Sequence, residues 1–306
     1  MFSLVNLRVT FKAQEDINFP LYSGSAFRGL FGKSLRKISC LAKKETCMGC
    51  GIFATCPYAT IFENGQRAYG SHDEVPNPYV IEPLPLGKKN VKKGELFSFN
   101  CILYGTATEK LSYVILAWIK AGKMGFTTEH SLAQLIRIEQ VCANLQLIYD
   151  VEQSSALLQN VDSTYFFPEA RQIKKIHIIL QTPLRIHHQG HPVVPDQFTA
   201  QDFLISLLRR QENMAKYHIT NYPLLNYEEI KNDIANVRIT SSNLHWCDWA
   251  RYSSRQQKRI ALGGIVGDFV LQGDLSQLYS YIKLGEVFHL GKSAVLGMGK
   301  YCIKEL

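Results

Sequence analysis

The chain lacks any run of about 18 uncharged apolar residues, so no transmembrane helix is expected in it. Its first residues, MFSLVNLRVTFKA, have neither a charged n-region nor a small-residue cleavage site. They alternate apolar and polar positions as a strand does, so a signal peptide is not expected and a cytoplasmic protein is. No histidine lies between Met1 and Asn64. A nucleotide-binding P-loop is missing as well. The LGKS tetrapeptide suggests one, but five residues separate Gly285 from Gly291, where that motif has about four, and the segment follows a helix and precedes a strand, the reverse of a P-loop. Acidic residues are the scarcer charge, 26 Asp and Glu against 34 Lys and Arg, for a net +8. That balance favours polyanionic partners without naming one.

What is present is a globular composition: 46% hydrophobic and 20% charged residues over 306 positions, enough for two domains with real cores. Residues 3–13 read as a strand. Residues 24–39 read as a helix, capped by Ser23 or Ser25, with Ala26, Phe27, Leu30, Phe31 and Leu35 at spacings of three and four. Strands follow at 79–85 and 95–105, separated by the basic turn KKNVKKG, then a helix at 108–120 and a long strand or hairpin at 134–151. The second half repeats that order: strand 174–186, helix 199–217, strands 237–246 and 263–273, helix 275–285 and strand 300–306. Strand–helix–strand–strand–helix–strand is the ferredoxin-like pattern. The expected class is α+β, with tandem ferredoxin-like (RRM-like, βαββαβ) domains. Residues 1–155 form the first, carrying a cysteine-rich insertion at 40–63; residues 165–306 form the second, carrying a glycine-rich loop at 285–300. The join falls near 152–172.

Four of eight cysteines crowd together as Cys40-x6-Cys47-x2-Cys50-x5-Cys56. The CMGC knuckle lets two thiolates converge on one cation, and the flanking pair completes a tetrahedron with no position left for water. Structural zinc is the expected occupant; an iron–sulfur cluster takes the same four ligands, and metal-free thiols are the plain alternative. Cys101, Cys142, Cys247 and Cys302 stand singly in apolar stretches and read as buried thiols.

Two segments suit RNA. WCDWARYSSRQQKRI carries Arg251, Arg255, Lys258 and Arg259 with Tyr252 among them and no acid between Ala250 and Ile260. Arginine forks grip phosphates and aromatic planes accept unstacked bases; a solvated loop is the bland reading. In GEVFHLGKSAVLGMGKY, Gly291, Gly297 and Gly299 let backbone N–H groups approach an anion, with Lys292, Ser293 and Lys300 completing the contact; a structural glycine turn is the alternative.

The series AFRGLFGKSLR, CPYATIFE, NPYVIEPLP, RYSSRQ, LGGIVGDF and HLGKSAVLGMGKY, in that order, resembles the CRISPR repeat-RNA (pre-crRNA) processing endoribonucleases of the RAMP superfamily, in the branch with a cysteine-rich, zinc-binding insertion. The resemblance implies metal-independent cleavage: a ribose 2′-hydroxyl attacks the adjacent phosphate, leaving a 2′,3′-cyclic phosphate and a 5′-hydroxyl on the way to mature guide crRNA. It implies CRISPR repeat RNA as partner, with other effector subunits, and no catalytic cofactor. The alternative is a non-cleaving subunit that holds a CRISPR RNA hairpin in an effector complex. The family often places a catalytic histidine in or after the first helix, and this chain has none there. Tyr22 and Lys33 are the candidates left at that helix, with Arg28 as an RNA contact. His289, just before the glycine loop, and His245, at a strand end, are the leading candidates for the base; His187, His188 and His191 cluster in one turn, and His72 sits in a long loop.

Overall fold

The computed structural model describes residues 1–63, 75–153, 155–156, 158, 161–223, 226–253 and 258–306. They form two compact units, Met1–Tyr165 with Lys216–Thr220, and Phe166–Ala215 with Asn221–Leu306.

The first unit contains β1 (Phe2–Ala13), α1 (Gly24–Ser39), α2 (Pro57–Ile61), β2 (Tyr79–Glu82), β3 (Leu96–Tyr104), α3 (Leu111–Met124), β4 (Ala133–Val141) and β5 (Leu145–Asp150). Its antiparallel sheet runs β2-β3-β1-β4-β5. The first four strands, taken in chain order, lie 2-3-1-4, which is the ferredoxin-like arrangement. Aromatic side chains lock the helices to the sheet: Phe27 of α1 lies 4.4 Å from Phe99 of β3, and Phe31 stacks on Trp118 of α3 at 5.0 Å. Such ring pairs add to the area they bury. Two local expectations are corrected. The lysine-rich stretch after β2 is not a simple turn, because Lys89–Val91 pairs with Ile17–Phe19, Ile17 and Val91 being buried while the lysines face out. The helix expected at 108–120 starts three residues later, because a 3-10 turn over Gly105–Lys110 precedes it.

The second unit contains β6 (Lys175–Leu184), α4 (Ala200–His218), α5 (Tyr227–Asn236), β7 (Arg238–Cys247), β8 (Ala250–Ser253), β9 (Lys258–Ala261), β10 (Gly264–Gln272), α6 (Tyr279–Phe288) and β11 (Tyr301–Glu305). The sheet order β7-β10-β6-β11 is again 2-3-1-4 and antiparallel. Phe203 of α4 packs edge-on to Phe269 and Tyr301, each at 5.3 Å, and closes the core from the helical side. The helix expected at 275–285 begins at Tyr279 and ends at Phe288, since Leu275 and Leu278 are spent on a turn whose N–H and C=O groups bond each other. Helix α5 was not anticipated; its signal was Asn226, whose side chain accepts from the Glu228 N–H as a cap. The basic segment pairs as the hairpin β8–β9, with Tyr252 opposite Arg259 and Arg251 opposite Ile260. No helix among the described residues is long and apolar enough to cross a membrane.

Candidate nucleic-acid site

Five residues between His289 and Gly299 take left-handed backbone: His289, Gly291, Ser293, Gly297 and Gly299. The loop they shape is fastened to the end of β6. The Lys292 N–H donates to Arg185 O at 2.8 Å and the Gly299 N–H to Pro183 O at 3.0 Å. The Lys300 N–H donates to Thr182 Oγ1 at 2.8 Å, whose hydroxyl donates on to Gly297 O at 2.7 Å. A Cβ at Gly299 would collide with Leu290 O, and one at Gly291 would lie 2.5 Å from Arg185 O. Both glycines are therefore required by backbone packing, and Gly297 and Gly299 are buried. This corrects the expectation that all three open the backbone to an anion. The stretch after Gly291 is different. Among the described residues no hydrogen bond engages the N–H groups of Ser293, Ala294 and Val295, Lys292 is exposed and Lys300 half-buried. Successive free N–H groups beside a lysine suit an anion.

His289 is fully buried, with Nδ1 3.1 Å from Met298 O, so its ring ties the two ends of the loop together. That corrects the expectation that it reaches a phosphate: a ring with no exposed surface has no access to one. His245 is exposed on β7, opposite Val266. After β6, Ile186 is buried while Arg185 and His187 project on the other side of the extended chain. Arg185 Nη1 donates to Gly263 O at 2.7 Å. A two-stranded hairpin then pairs His187 with Pro192 and His188 with His191. Burial, followed by the charges of Arg185, Lys292 and His191, holds the His187 imidazole below its usual pKa. The backbone of Arg251, Tyr252, Lys258 and Arg259 forms the β8–β9 hairpin, while Arg255 lies outside the described residues; so does His72.

In the first unit, Lys33 is exposed on α1, whereas Tyr22 is buried, which takes its phenol away from solvent. Arg28 is half-buried over the Phe62 ring, 4.3 Å from its centroid, a cation–π contact. That ring occupies the space Gly32 leaves, where any Cβ would collide with it. Arg28 thus braces α1 against the end of the cysteine insertion, a contact its reading as an RNA residue did not include. The same guanidinium partly offsets the burial that pushes the Tyr79 hydroxyl up to about 12. Arg36 donates to the carbonyls of Lys44 and of Glu45, the latter at 2.6 Å, and so anchors the cysteine loop to α1.

Cys40, Cys47, Cys50 and Cys56 all line one cavity of about 10 Å³, room for roughly one water-sized sphere. Burial, then the Glu63 carboxylate, raise the Cys47 thiol. As they stand, no three or more metal-binding side chains among the described residues meet in a coordinating group. Of the four single cysteines only Cys101 is buried; Cys142 is exposed and Cys247 and Cys302 are partly so, which corrects the expectation of four buried thiols.

Residues 178–301 match the family described as CRISPR-associated endoribonuclease Cas6, and residues 2–162 match a family described as an N-terminal domain. No curated protein matches the sequence. Among solved structures, a Cas6 product complex aligns with a TM-score of 0.59 at 14% identity, over 98% of this chain and 100% of that one. Thermus thermophilus Cas6 aligns at 0.56 and 13%, over 99% of each. A partial Cas6-RT-Cas1–Cas2 complex aligns at 0.57 and 15%, and there the whole of this chain spans only 46% of its counterpart. At these identities the likeness is one of fold.

Proposed function

We propose, from the match of residues 178–301 to the family of CRISPR-associated endoribonucleases Cas6, that the chain cuts CRISPR repeat RNA by attack of a ribose 2′-hydroxyl on the adjacent phosphate, without a catalytic metal. The products are a 2′,3′-cyclic phosphate and a 5′-hydroxyl, and the trimmed RNA is the guide taken up by effector subunits. One observation supports this reading: the glycine loop is fastened to β6 by backbone bonds, exposes the Lys292 side chain, and leaves the N–H groups of Ser293–Val295 without a hydrogen bond among the described residues. A loop so fastened positions a phosphate without ordering itself first, and it stabilises charge gathering on phosphorus. The basic β8–β9 hairpin supplies further cations along the RNA, and Lys33 and His245 are exposed groups in reach of solvent.

The test is incubation of the pure protein with a CRISPR repeat RNA in EDTA. Cleavage leaving a cyclic-phosphate end, abolished by a single 2′-deoxy substitution at the cut, is the expected result. Tight binding with the RNA intact would refute the endoribonuclease and indicate a holding subunit.

The four thiols of the insertion are proposed to hold one structural zinc ion. The fit rests on the donor set and on the single small cavity that all four line. Four thiolates fill a tetrahedron and leave no site for a reacting water.

A further inference from the structure

Arg185, His187 and Lys292 gather positive charge at the flank of the glycine loop. Arg185 and His187 share one side of the chain leaving β6, since they are two residues apart in extended backbone and Ile186 between them is buried. Lys292 is brought alongside by its own N–H, which bonds Arg185 O at 2.8 Å, and Gly291 lets the two backbones close up. The hairpin returns through His191, which adds a third ionisable nitrogen group facing the His187 imidazole. Among the described residues no carboxylate acts on His187; Asp202 of α4 faces His188 instead, 3.8 Å from its Nδ1, and is engaged by Thr199. A concentration of like charge is unfavourable until an anion enters it, and Arg185 and Lys292 are the side chains that would give a phosphate diester charge-assisted bonds there.

We propose that Arg185, Lys292 and His187 form a phosphate pocket on the flank of the glycine loop, in which His187 takes the proton of the attacking 2′-hydroxyl. This rests on the endoribonuclease reading above. The 2′-oxygen forms its bond to phosphorus, the P–O5′ bond breaks, and the 5′-oxygen takes a proton from water. The imidazolium returns its proton to the hydroxide left behind, so the charge and proton count close. A base needs an unprotonated ring nitrogen at working pH, and the lowered pKa of His187 supplies it. The groups facing the ring are Arg185 and His191 on its own hairpin and Lys292 on the loop, all of one sign. The rate therefore rises with pH through an inflection below the ordinary 6.5 of histidine.

Single-turnover cleavage of repeat RNA in EDTA tests this with His187→Ala and His187→Gln, and His188→Ala as the neighbour control. The expected loss at position 187 is about 10²–10⁴-fold, with the acid limb of the pH profile gone and the affinity for uncleavable 2′-deoxy RNA kept. Lys292→Ala should instead weaken that affinity and lower its salt slope by roughly 0.7. Wild-type-like cleavage by both 187 variants, from a protein that does cleave, overturns the proton role and leaves the endoribonuclease reading standing. Intact RNA with the unmodified protein sinks both, and an unchanged salt slope in Lys292→Ala rejects the phosphate pocket in either case.

Discussion

Replacing Gly299 by alanine is the sharpest test of why the glycine loop is rich in glycine. At φ +70° the new methyl group forces a left-handed L-residue, costing roughly 1–2 kcal/mol. It also drives a Cβ into Leu290 O and against Leu290 N at 3.1 Å in a buried position. Relief requires the loop to shift off β6, where the Gly299 N–H bonds Pro183 O, and overpacking of this kind adds about 1–3 kcal/mol. The sum is roughly 2–5 kcal/mol. Gly190 is the matched reference. It lies in the same unit, at φ +86°, and a Cβ there meets nothing within 4 Å. Gly190→Ala therefore carries the backbone strain alone, about 1–2 kcal/mol. Urea denaturation followed by tryptophan fluorescence reads both against wild type, at unchanged m-value. A Gly299→Ala protein no less stable than Gly190→Ala refutes the packing argument and returns that glycine to the role of an RNA-approach residue.

Purified protein should carry about one zinc per chain by elemental analysis, and Cys47→Ser or prolonged chelation should remove it while speeding proteolysis within residues 40–56; full loading of the Cys47→Ser variant rejects the site. Arg251→Ala combined with Arg255→Ala should weaken RNA binding and flatten its log–log salt dependence by roughly 1–2; unchanged affinity moves the RNA off the β8–β9 hairpin.

The element order was legible because period carried it. The alternation in residues 2–13 and the spacing of Phe27, Phe31 and Leu35 show which face each element buries, and two such series in ferredoxin-like order leave little freedom of topology. What escaped were elements held by partners distant in sequence. Lys89–Val91 has a composition that points to a turn, and only its pairing with Ile17–Phe19 makes it a strand. The β8–β9 hairpin is likewise hidden by its arginines and lysines. At the site, the glycine loop was found from its residues, but their division of labour was not. Gly291 and Gly299 answer to carbonyls of Arg185 and Leu290, and His289 to that of Met298, and spacing along the chain shows none of these contacts. Arg28 reads as a surface cation until Phe62, filling the space above Gly32, takes its guanidinium. His187 was in view as one of three clustered histidines, whereas Arg185 had no signal beyond being a cation at a strand end.

The fastening of the loop to β6 also orders events in time. Thr182 and Gly297 are 115 positions apart, and Thr182 and Lys300 are 118 apart. Closing a span of that length is entropically late in folding, after the local hairpins and helices between them have condensed. A half-folded second unit would thus already carry its basic hairpin sequence but not the loop proposed to hold a phosphate. On the proposed reading, nascent or partly unfolded chains would have only loose, salt-sensitive attraction to nucleic acid, and a defined grip on an RNA backbone would arrive with the final clasp.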